Sequence, residues 1–134
     1  MWDLDSKAVS HIANYEQFIG SIASHAKSFG KPVLLFNGDS HHYRSDNPLK
    51  KGQPCVFEAE AGEVDCNSIP AAPDFTPDAS INHPGYDVAN FHRVVVHGST
   101  DPLEWLRLTI RPGVNAPASA NAFGPFSWQR VPLK

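Results

Sequence analysis

The sequence predicts an α/β domain in which one long N-terminal helix is followed by mainly antiparallel strands. Three observations carry that prediction. Apolar residues recur at helical spacing from about Lys7 to Phe29, an unbroken apolar run at 32–36 follows directly, and strand-like stretches return at 91–97 and 103–111. A helix that feeds a buried strand through a short turn implies α/β layering. The 134 residues suit one domain, and 41% hydrophobic against 19% charged residues supply a core without the charge density of a disordered tail.

The helix rests on Ile12, Tyr15, Ile19, Ile22, Ala26 and Phe29, spaced by threes and fours so that they share one face. Asp5 or Ser6 caps its start, Gly30 stands where a left-handed C-terminal cap is wanted, and Pro32 prevents continuation. His11 and His25 lie on this helix in solvated or capping positions. Residues 32–36, bounded by Asn37-Gly38, have the texture of a short strand buried on both faces. From Ser45 to Asn90 the chain carries Pro48, Pro54, Pro70, Pro73, Pro77 and Pro84, with only Val56-Phe57 to suggest a strand. The expectation there is a long excursion with little regular structure, of the kind that forms lids or walls of binding sites.

Residues 91–97 and 103–111 read as two half-buried strands, and the turn-rich link between them predicts an antiparallel hairpin. His92 and His97, an odd number of residues apart, should point to opposite faces as sheet-surface histidines. After an Ala/Pro-rich stretch at 115–122, residues 126–131 read as a last strand.

Composition excludes several function classes. Eleven Lys and Arg against 14 Asp and Glu give a net charge of -3, so the basic footprint of a nucleic-acid binder is missing. The run at 32–36 falls far short of the roughly 20 apolar residues that cross a bilayer, and the first five residues lack the basic start and apolar middle of a secretory signal. There is no Gly-rich phosphate cradle with Lys-Ser or Lys-Thr, and Ser40 has no Gly-x-Ser-x-Gly elbow. Cys55 and Cys66 leave two readings open. A bridge would close a loop of about a dozen residues, worth on the order of 3 kcal/mol, and would imply an oxidising, extracytoplasmic compartment; the other reading is two thiols in a reducing one.

The sharpest candidate site is Asn37-Gly38-Asp39-Ser40-His41-His42, which begins where the first strand stops. Strand ends in open α/β sheets are where ligands bind. Asp39 and His41, two residues apart, offer an oxygen and an imidazole nitrogen suited to Mn, Zn or Fe. The competing reading is an Asx turn with surface histidines. His83 lies in the Pro-rich excursion and reads as a turn residue.

Residues 30–44, with Gly38-Asp39-Ser40-His41 at their centre, resemble the C-terminal part of calcineurin-like metallophosphoesterases, where a buried strand ends in a Gly-His-x-His loop. The segments 90–94, 103–110 and 125–128 look like the closing strands of bacterial members. The resemblance implies a four-layer αββα sandwich of which this chain is the C-terminal portion. His41 falls on the second loop histidine and Asp39 on the first, a substitution that keeps a metal-binding group. The resemblance further implies divalent metal ligation by Asp39 and His41, a phosphoester substrate facing His42 and Arg44, and no catalysis by this portion alone, because the other ligands of a two-metal centre lie N-terminal to the closing loop. The alternative is a non-catalytic, exported interaction module that binds through its Pro-rich segment.

Overall fold

The computed structural model describes residues 9–38, 42–59, 62–70, 78–82, 85–97 and 104–133. Helix α1 (Val9–Phe29) ends as the sequence predicts, at Gly30 with φ +69° and its N–H on the Ala26 carbonyl at 3.2 Å. Strand β1 (Val33–Asn37) follows, then β2 (Arg44–Asp46), β3 (Val56–Ala59), β4 (Gly62–Asp65) and β5 (Phe91–Val95). These five form one sheet in the order β1-β5-β2-β3-β4, with β1 parallel to β5 and every other pair antiparallel. Strands β6 (Glu104–Ile110), β7 (Ala122–Phe123) and β8 (Phe126–Pro132) form a second, antiparallel sheet in the order β6-β8-β7. No described helix is long and apolar enough to cross a membrane.

Alternation along β1 builds two cores. Val33 and Leu35 face α1 and join Ile19, Ala23, Ala26, Leu49, Val88 and Phe91. Leu34 and Phe36 face the second sheet and join Tyr43, Val94, Phe123 and Trp128. The five-stranded sheet is therefore the middle layer, covered by α1 on one face and by the second sheet on the other.

Three expectations change. The excursion contains β2 and the β3–β4 hairpin, joined by the Cys55–Cys66 disulfide, so prolines at its turns punctuate structure rather than abolish it. No β5–β6 hairpin forms. β5 is inserted between β1 and β2 with all five residues buried, whereas β6 keeps an exposed alternation and pairs with β8. Two strands buried to such different degrees belong to different sheets, a distinction that period-2 counting over residues 91–97 misses. Finally, β1 is covered on both faces, as its apolar run predicts, but it lies at the edge of its sheet and its residues are only half-buried.

Candidate functional site

β1 and β5 run in the same direction and end together. Asn37 lies opposite Val95, and the Val96 N–H donates to the Asn37 carbonyl at 2.8 Å. β2 lies on the far side of β5, so Gly38 and His42 stand on either side of the carboxyl end of β5. Asp39, Ser40 and His41, the centre of the predicted site, lie outside the described residues, as does His83. His42 is exposed, with its ring centroid 5.2 Å from that of Phe57.

Two buried atoms at this end have no hydrogen-bond partner among the described residues: Asn37 Oδ1 and His97 Nδ1. Such atoms are rare in native structures and mark places where a water, ion or ligand group is accommodated. The other ring nitrogen of His97, Nε2, lies 3.7 Å from Glu58 Oε2. Glu58 also accepts the Tyr43 N–H at 3.0 Å and pairs with Arg130. Burial alone would raise its pKa, but the Tyr43 N–H and the Arg130 guanidinium outweigh burial and hold it below the usual value.

Arg130 is the hub of this neighbourhood. Its Nε donates to both Glu104 oxygens at 2.8 Å, its other nitrogens reach Glu58 and Glu63, and its guanidinium lies 4.7 Å from the Tyr43 ring centroid. The Tyr43 hydroxyl accepts from Trp128 Nε1 at 2.8 Å and donates to the Ala120 carbonyl at 3.3 Å. Burial pushes this phenol up to about 12 despite the Trp128 hydrogen bond, so it is a neutral structural group.

Arg44 points the other way. It is buried on the α1 side of the sheet with Nε 2.7 Å from Asp46 Oδ2, and it lines a small polar recess with Asn47, Lys50, Gln53, Asn67 and Asp78. Asp46 also receives Arg93 through two hydrogen bonds of 2.8 and 2.7 Å. Burial opposes its ionisation, yet the two guanidiniums bring its pKa down to about 2. The structure thus places Arg44 in a buried charge network, apart from His42.

His92 departs furthest from its sequence reading. It is fully buried between the sheets, with Nε2 2.8 Å from Ser45 Oγ and its ring 5.5 and 5.3 Å from those of Phe123 and Trp128. Burial lowers its pKa to about 4, against the pull of Asp46. A neutral, enclosed imidazole with a serine beside it joins two layers and has no access to substrate. Sequence reasoning passed over Glu58 and Arg130, and it placed His97 at a strand end but read it as a sheet-surface histidine rather than as a partner of Glu58. Among the described residues, no three His, Cys, Asp or Glu side chains are grouped to hold a metal ion. In comparisons with family models, curated proteins and solved structures, the chain finds no match.

Proposed function

We propose that the chain is the closing segment of a metal-dependent phosphoesterase domain, with Asp39 and His41 as ligands and His42 on the substrate side. The observation that supports this reading is topological. The segment carrying Asp39 and His41 joins β1 to β2 across the carboxyl end of the parallel strand β5, the end of an α/β sheet at which ligands collect. At that same end the acceptor Asn37 Oδ1 and the ring nitrogen His97 Nδ1 are buried with no hydrogen-bond partner among the described residues, a setting chemically suited to a hydrated cation. In this reading α1 and the two sheets are three layers of an αββα sandwich, and the rest of the domain supplies the fourth.

A divalent Mn, Zn or Fe ion there would supply a bound hydroxide and stabilise charge on a phosphoryl group. Asp39 and His41 would hold it, and His97, seated against Glu58, would fix hydrogen bonding around it. Two ligands from one loop make a weak site, so the isolated chain is expected to bind metal without efficient turnover.

Calorimetry with Mn and Zn on the purified chain, beside an Asp39→Ala/His41→Ala variant, tests this. Stoichiometric binding that the variant loses supports the site, and its absence from a folded wild-type chain sinks it. Efficient metal-dependent hydrolysis of an aryl phosphate by the chain alone would overturn the claim that other ligands are needed. The Cys55–Cys66 disulfide favours an extracytoplasmic setting and keeps a second reading in play, a non-catalytic exported interaction module that binds through the Pro-rich segment from Ser45 to Asn90, within which the disulfide lies.

A further inference from the structure

His97 is set up to offer a lone pair from one particular ring nitrogen. A neutral imidazole carries its hydrogen on one nitrogen and a lone pair on the other, and the neighbours of the ring decide which. Nε2 stands 3.7 Å from Glu58 Oε2, an ion-pair rather than a hydrogen-bond distance. Glu58 is kept in its charged form by the Tyr43 N–H and the Arg130 guanidinium, so it attracts the ring hydrogen to Nε2. The lone pair is thereby left on Nδ1, which is buried and has no hydrogen-bond partner among the described residues.

The charges nearby favour a cation as the missing partner. Glu58, Glu63 and Glu104 gather around the single guanidinium of Arg130, three carboxylates to one positive group. A water molecule could satisfy the lone pair, but only a cation also offsets that excess. Asn37 Oδ1, the other buried atom without a partner at this end, is likewise an acceptor.

Position agrees with chemistry. Asn37 of β1 and Arg44 of β2 both lie opposite Val95 of β5. The link that joins them therefore departs on one side of β5 and returns on the other, two strand spacings or about 10 Å away. Val96 and His97 emerge between those two ends, and the Val96 N–H on the Asn37 carbonyl at 2.8 Å fixes the residue before His97 in this row.

We propose that His97 binds a divalent transition-metal ion directly through Nδ1, with Glu58 as the positioning residue behind its ring. This rests on the reading above that a metal ion is held at the carboxyl end of β5, and it gives His97 a bond to the ion itself. A carboxylate behind the far nitrogen is how metal-ligating histidines are oriented, since it settles the tautomer and makes the ligating nitrogen more basic. A nitrogen ligand suits Zn or Fe better than Mg or Ca.

Histidine 15N NMR of the whole chain during titration with Zn, with calorimetry beside it, tests this. His97 is assigned by the signals that His97→Gln removes. In the free wild type, Nε2 should carry the hydrogen, and Zn should move the Nδ1 resonance while Nε2 stays protonated. Affinity for Zn should fall roughly tenfold or more in His97→Gln, and about tenfold in Glu58→Gln, which should also mix the two tautomers in the free protein. If either variant fails to fold, by circular dichroism, the wild-type spectra still decide. A free protein with the hydrogen on Nδ1 overturns the proposal. So does Zn binding that depends on Asp39 and His41 but leaves His97 Nδ1 unmoved, an outcome that keeps the metal reading. A folded wild type that binds no Zn overturns both.

Discussion

His92 shows how one side chain can set the acid limit of a fold. It titrates near 4 in the folded chain, chiefly because it is buried, against 6.5 when unfolded. Between those values the unfolded chain binds the extra proton, so stability falls as pH drops from about 6.5 and the loss is complete below about 4. The shift corresponds to roughly 3 kcal/mol at its limit. Asp46 adds a second loss at lower pH, because its folded pKa of about 2 lies below the ordinary carboxylate value of 3.8 and its stabilising charge is removed as pH falls through that window. Urea midpoints should therefore decline steeply between pH 7 and 4.5 in the wild type and much less in His92→Gln, and an equal decline in both would refute the assignment. None of this was legible in the sequence. A histidine in an alternating strand reads as surface, and only the arrival of Phe123 and Trp128 from a distant segment encloses it.

At the scale of elements, the sequence was informative where the signal is local. The α1 periodicity over Tyr15, Ile19, Ile22 and Ala26, its Gly30 stop and the last strand are decided by neighbouring residues, and the structure has all three; Phe29, expected on the same face, is instead 60% exposed, and the Ile12 side chain lies outside the described residues. Pairing depends on partners far along the chain, so the predicted β5–β6 hairpin failed while the unpredicted β3–β4 hairpin formed. The β7–β8 connection illustrates a constraint invisible in a residue list. Gly124 has φ +56°, and a Cβ there would overlap the Pro32 ring at the entry to β1. The strain and the overlap act together, so Gly124→Ala should cost about 2 kcal/mol or more. Thermal melts should show a clear drop in midpoint, and a neutral result would mean that the Pro32 contact yields freely.

Across the whole molecule, the two sheets meet through an apolar core and are clamped at one end by Arg130 of β8, which gathers Glu104 from its own sheet with Glu58 and Glu63 from the other. Arg130→Ala would leave three carboxylates facing one another and should destabilise the chain by about 2 kcal/mol. Arg130→Lys, lacking the planar fork whose three nitrogens reach Glu104, Glu58 and Glu63, should recover only part of that. Denaturant titrations of the pair decide it, and full recovery by lysine would reduce the clamp to simple charge. The layered α/β class was legible because helix, buried strand and alternating strands follow one another in the sequence. The placement of the candidate site followed from a strand end, but its surroundings did not, since Glu58, His97 and Arg130 meet only after both sheets are assembled. The contact between the Trp128 indole and the Tyr43 hydroxyl crosses this same seam. Trp128 is nearly fully enclosed whereas Trp105 is open to solvent. Trp128 is therefore an intrinsic optical gauge: the part of the emission that Trp128→Phe removes reports whether the two sheets are closed on each other.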